Sequence, residues 1–123
     1  MADQRVQKDQ TPLVISKTYD LMVWTVNHTS RFPRSHRYAL GLRLENTLYQ
    51  ILDLLIEARF SRERRQSLLR VNQQLESTRY LLRLAQDVGC LKVSSYGFAV
   101  RSVDEIGRLT GGWLKQGERA ATV

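Results

Sequence analysis

One cysteine, Cys90, and two histidines, His28 and His36, are the only thiol or imidazole ligands in 123 residues. A lone thiol allows no internal disulfide, and one Cys with two His at this spacing matches no zinc site. Cys90 reads as a small buried hydrophobe near a helix end. Long apolar runs are also missing. No stretch reaches the roughly 18 residues of a membrane span, and the N-terminus lacks a signal-peptide core. A cytoplasmic protein without a membrane segment is therefore expected. Catalytic sets are equally sparse. Glu45, Asp53 and Glu57 fall away from any apolar seam, no Glu-x-x-His pair offers a di-metal site, and no glycine loop fits a nucleotide. No Ser/His/Asp set stands out either. The expectation is a protein that is not an enzyme and uses no cofactor or metal.

Acids are scarce too. Twelve Asp and Glu stand against nineteen Lys and Arg, a net charge of +7, and the pI is near 10.1. Fifteen of the nineteen cations are Arg. Solubility alone would be served by Lys or by acids. Arg instead supplies a planar fork of donors suited to phosphate and carboxylate. Such a balance points to a polyanionic partner. The stretch RFPRSHRYALGLR, residues 31–43, concentrates Arg31, Arg34, Arg37 and Arg43 where a helix begins. The macrodipole disfavours cations there, so compensating negative charge is expected from outside.

The remaining pattern is helical. Residues 1–10 are polar and aperiodic and read as a loose tail. Thr11-Pro12 looks like an N-cap followed by proline at the first helical position, opening a helix over about 11–30. Its expected inward stripe is Ile15, Tyr19, Met22 and Val26. Phe32-Pro33 ends it. A second helix is expected over 34–59 with the seam Leu40, Leu44, Leu48, Ile51, Leu52 and Leu55. A third, over 61–88, is capped by Ser61, carries Leu68, Val71, Leu75 and Leu82, and stops at Gly89. Ser94 or Ser95 caps a fourth over 95–116 with Ala99, Val103, Ile106, Leu109 and Trp113. Residues 117–123 read as a short tail. No stretch of useful length alternates with period two. The expected fold is all-α, an antiparallel up-down four-helix bundle.

One apolar face per helix does not use every large apolar residue. Leu69, Tyr80, Leu81 and Leu84 project away from the third helix's seam, and Trp24 and Leu13 lie off the first helix's seam. Either the helices touch neighbours on two sides, or the protein is a homo-oligomer with Leu69, Tyr80, Leu81, Leu84 and Trp24 at its interface. Gly107 and Gly111 suggest close helix approach, since glycine in a helix costs about 1 kcal/mol against alanine.

The candidate binding residues are basic. Arg65, Arg79 and Arg83 share a stripe beside the third helix's seam. Arg101, Arg108 and Lys115 repeat every seven residues on the fourth helix, opposite its seam, interrupted by Asp104. Arg34 and Arg37 stand at the second helix's start, with Arg37 close to the line of the core seam. Together they would present a broad basic surface for phosphate backbones, with little sequence selectivity.

FPRSHRYALG at the first helix junction, STRYLLRLAQDVG in the third helix and SVDEIGRLTGGWL in the fourth resemble the accessory variability determinant (Avd) proteins of diversity-generating retroelements. The four-helix proteins encoded in ribosomal RNA intervening sequences are the nearby alternative. They suggest a structural protein-interaction module without nucleic-acid binding. The Avd resemblance covers roughly residues 12–116. It implies a four-helix bundle that assembles as a homopentameric, positively charged barrel. It also implies binding to a reverse transcriptase and to RNA and DNA in support of mutagenic reverse transcription. In that pattern Arg79 and Arg83 match the basic partner-binding positions. Pro33-Arg34 matches the junction, and Gly111, Gly112 and Trp113 match the glycine–aromatic segment.

Overall fold

The computed structural model describes the backbone of residues 11–122 and the side chains of residues 11–117. The expected loose segment 1–10 lies outside the described residues. Four long helices make the fold: α1 (Leu13–Thr29), α2 (Leu42–Phe60), α3 (Arg65–Asp87) and α4 (Val93–Thr122). No strand occurs among the described residues. Each helix packs on the next, and α1 closes on α4. Short connectors make successive helices antiparallel. α3 is thus diagonal to α1, and the bundle has two ends. One end carries the α1–α2 and α3–α4 connectors. The other carries the α2–α3 connector, the start of α1 and the later turns of α4.

The connectors depart from expectation in instructive ways. After Pro33 the chain makes one helical turn, Arg34–His36, and then a π-helical turn, Arg37–Gly41, before α2 begins. Gly41 is buried, and a Cβ there would stand 3.4 Å from the Thr29 Cβ and 3.5 Å from the Phe32 ring. Glycine lets this widened turn settle against the end of α1. The extra residue in the turn also shifts the helical phase. Arg37, expected near the line of the core seam, is therefore exposed. Ser61 does not cap α3. Its Oγ accepts the Glu63 N–H at 3.2 Å inside the connector, and the helix starts at Arg65.

Gly89 ends α3 with φ +83°. The Cys90 N–H bonds the Ala85 carbonyl at 2.7 Å, and the Gly89 N–H bonds Gln86 at 3.0 Å. This pair of bonds is the Schellman closure, which needs a residue at ease with positive φ. Ser94 and Ser95 fall within the first turn of α4, because that helix begins at Val93. Nor does α4 stop near Gln116. Its backbone stays helical to Thr122, and after Gly117 the run Glu118, Arg119, Ala120, Ala121 consists of good helix formers.

Three helices bury the expected seams. Leu40, Leu44, Leu48, Ile51 and Leu55 are buried, joined by Leu54 and Ala58, while Leu52 is half-buried. Leu68, Val71, Leu75 and Leu82 are buried on α3, and Ala99, Val103 and Ile106 on α4. Leu109 and Trp113 pack half-buried against this core.

Helix α1 does not follow the expectation. Tyr19 is 59% exposed and Val26 41%, and Ile15 and Met22 are only half-buried. The inward stripe is Val14, Thr18, Leu21, Thr25 and Thr29. Threonine can sit inside because its hydroxyl can bond the carbonyl one turn back while its methyl packs. Thr18 does this with Val14 at 2.8 Å, Thr47 with Arg43, Thr78 with Gln74 and Thr110 with Ile106. The Thr29 hydroxyl reaches the Glu45 carboxylate on α2 at 2.7 Å and lies 3.3 Å from the Val26 carbonyl of its own helix.

Among the described buried side chains, the Thr25 hydroxyl has no partner. An unmet buried hydroxyl costs about 1–3 kcal/mol, and valine has nearly the same shape. Thr25→Val should therefore stabilise the fold by about 1 kcal/mol. Thermal melting checks this, with an increase of several degrees expected. A lower melting temperature would show that the hydroxyl is satisfied.

Candidate nucleic-acid interface

Helices α3 and α4 meet along a groove of about 500 Å³ lined by Asn72, Leu75, Glu76, Arg79, Asp104, Gly107 and Arg108. Arg79 spans it. Its Nε and Nη2 both lie 3.1 Å from Asp104 Oδ1 on α4, and its Nη1 lies 3.1 Å from Glu76 Oε2. Gly107 makes room: a Cβ there would come within 3.4 Å of Arg79 Nη2. This glycine accommodates a guanidinium rather than a second backbone. At Gly111 an added Cβ meets nothing within 4 Å, so the expected close approach is not found there. With two carboxylates on one guanidinium, Arg79 ties α3 to α4 and brings little free positive charge to the surface.

The other basic residues fall into separate groups. Arg83 is exposed and reaches Asp87 only at 3.9 Å. Arg101, Arg108 and Lys115 are all exposed on the outer side of α4. Seven-residue spacing places neighbours two turns, about 10 Å, apart on one ridge. Arg34 and Arg37 are exposed at the end bearing the α1–α2 connector, where the Arg37 guanidinium lies 5.6 Å from the Tyr38 ring centroid. Arg65 is exposed at the opposite end, at the start of α3. The eight residues thus fall into the α4 ridge, the groove bridged by Arg79, Arg83 on the surface of α3, the Arg34–Arg37 pair at one end and Arg65 at the other.

Two further arginines escape the periodic pattern of the sequence. Arg59 closes the last turn of α2, and Arg64 sits in the α2–α3 connector. With Arg108 and Trp113 they line a pocket of about 550 Å³ at that end of the bundle. The available signal was the run ARFSRERR, residues 58–65, which brackets a helix–helix turn.

Apolar residues mark two outer faces. Leu69, Tyr80 and Leu84 are exposed on the far side of α3, while Leu81 packs half-buried against the core. Trp24 is occupied within its own chain. It stacks on His28 at 3.8 Å and lies 5.7 Å from Phe98. The second face lies along α1 and α2, where Tyr19, Val23 and Val26 on one helix and Leu42, Tyr49 and Ile56 on the other are exposed. The Thr29–Glu45 bond lies on the seam between these helices. By the 100° step of the helical wheel both trios flank that seam on its solvent side. Glu45 also accepts the Tyr49 hydroxyl at 3.3 Å, and burial together with that carboxylate raises the Tyr49 pKa.

Reactive groups are few. Burial pushes the Cys90 thiol up, which keeps it protonated and a poor nucleophile. Among the described residues no three His, Cys, Asp or Glu side chains come together as a metal site. No helix of the described residues is long and apolar enough to cross a membrane. In comparison with known proteins, a family model described as bAvd-like matches residues 13–117. No curated protein matches the chain.

Proposed function

The chain belongs to the bAvd-like family, which points to an accessory role in a diversity-generating retroelement, and on that premise we propose that it is a non-catalytic adaptor. It binds the retroelement's reverse transcriptase and its template RNA or complementary DNA in the cytoplasm, and so supports mutagenic copying. The observation that carries this reading is the α4 ridge, where Arg101, Arg108 and Lys115 project from one rigid helix into solvent. Arginines and lysines so placed contact phosphates without reading bases. That suits a protein that must accept whatever sequence is being copied.

The two apolar faces support self-association. They lie on different sides of the bundle, one along α1 and α2 and the other on α3. A contact between unlike faces of successive subunits closes into a ring when the rotation allows. In this reading Tyr80 and its neighbours on one subunit cover the α1–α2 face of the next. Trp24, by contrast, stays within its own bundle. The homopentamer implied by the family resemblance would carry a formal charge of about +35, five times the +7 of one chain. Multiplying the phosphate contacts steepens the fall of affinity with salt.

The test is co-purification with the retroelement's reverse transcriptase, with and without template RNA, alongside sedimentation of the chain alone. The expected result is a particle several times 14.3 kDa that retains the enzyme and binds RNA in a salt-sensitive way. A lone subunit indifferent to RNA at low salt, and to the polymerase, would overturn the proposal.

A further inference from the structure

The pocket at the α2–α3 end has a composition that a general basic surface does not need. Three arginines line it, Arg59, Arg64 and Arg108, and no Asp or Glu does; the Arg59 guanidinium lies 5.3 Å from the ring centroid of exposed Phe60. Its lining also holds the apolar residues Leu13, Leu109 and Trp113. The Arg64 guanidinium lies 5.3 Å from the Trp113 ring centroid. A pocket near 550 Å³ falls within the range of small-molecule sites, about 300–1,000 Å³. The field there is also positive. Helix α1 begins beside the pocket with no acidic residue in its first turn and no side-chain cap, so its dipole adds to the arginines.

A lining that combines apolar side chains with arginines fits a base and its phosphate together. Exposed bases stack on aromatic rings and arginine planes, while phosphates take the charged donors. A duplex keeps its bases stacked and can offer only phosphates. Resting on the nucleic-acid reading above, we infer that this pocket receives one unpaired nucleotide of a single strand. The base lies against Trp113 and Leu109, and the phosphate lies among Arg59, Arg64 and Arg108. The site gives the protein a preference for single-stranded over duplex nucleic acid, at a place distinct from the α4 ridge except for the shared Arg108.

Two variants of the full chain test this. Arg59→Gln with Arg64→Gln removes two of the three charges. Gly112→Leu fills the pocket instead. Gly112 lines the cavity, an added Cβ there meets nothing within 4 Å, and leucine is the better helix former. Binding of a labelled oligouridylate and of a blunt RNA duplex of equal charge is measured at low salt, with melting curves run on each variant. Both variants should melt no lower than the parent chain. Both should bind the single strand about tenfold more weakly, the scale of one stacked base, and the duplex nearly as before. Variants that hold the single strand as the parent does would overturn the site, as would equal weakening toward strand and duplex. Displacement of the strand from an intact pocket by an acidic peptide but not by free oligouridylate would assign the pocket to a protein partner and also overturn it. A parent chain that binds neither probe would sink the nucleic-acid reading itself.

Discussion

Tyr19→Glu combined with Ile56→Glu should convert the proposed ring to single subunits of 14.3 kDa with their helical content intact. Both residues are well exposed in the subunit, so neither change disturbs the core, and substitutions at such positions usually move stability by less than about 0.5 kcal/mol. Inside an apolar interface the same carboxylates would lose their water without gaining partners, at an effective cost of several kcal/mol each. The antiparallel pairing that sets Thr29 beside Glu45 brings residues 19 and 56 to about the same level, so both charges enter one patch. Sedimentation gives the mass, and circular dichroism shows that the fold survives. A double variant that sediments like the parent would place the interface elsewhere. Tyr80→Glu, on the α3 face proposed as the other half of the same contact, should have the same effect.

Reversing the ends of the α4 ridge, with Arg101→Glu and Lys115→Glu, is expected to reduce duplex binding roughly 100-fold at low salt and to flatten its salt dependence. Each phosphate left without its cation lowers the slope of log K against log salt by about 0.9 on duplex DNA, so two such phosphates should lower it by about 1.8. Neither residue lines the groove or the end pocket, and both are exposed. The weakening should appear in a titration at several salt concentrations while the melting temperature hardly changes. Arg79→Gln should behave differently. It releases Glu76 and Asp104 from their shared guanidinium, and its main effect is on the docking of α3 to α4. A ridge reversal that leaves affinity and slope unchanged would remove the observation on which the adaptor reading rests.

The helices and three of the four inward seams are legible in the sequence because leucine, isoleucine and valine recur on one face at helical spacing. Gly89 is equally legible, since only a residue at ease with positive φ fits its place. The stripe of α1 is not. Its Ile15, Tyr19, Met22 and Val26 look like a core, while the true core positions Thr18, Thr25 and Thr29 look polar. Hydropathy records the threonine hydroxyl but not the Val14 carbonyl that satisfies Thr18 or the Glu45 carboxylate that receives the Thr29 hydroxyl. The π-helical turn at Arg37–Gly41 was hidden for a related reason: it depends on how closely Gly41 meets Thr29 and Phe32, a contact between two helices. Among the candidate site residues the periodic ridge on α4 could be read from spacing alone. The pairing of Arg79 with Asp104, 25 residues away, could not. Nor could the convergence of Arg59, Arg64 and Arg108, which come from three different elements.

The threonine-lined face of α1 also bears on how the bundle comes apart. Of its five buried residues only Val14 and Leu21 are aliphatic, whereas α2 buries Leu44, Leu48, Ile51, Leu54, Leu55 and Ala58. A fully buried aliphatic side chain contributes about 1.5–3 kcal/mol, so α2 is anchored far more firmly than α1. Transient openings follow the least anchored segment. Helix α1 is accordingly the hinged door of the subunit, and α2, α3 and α4 form the frame from which it swings.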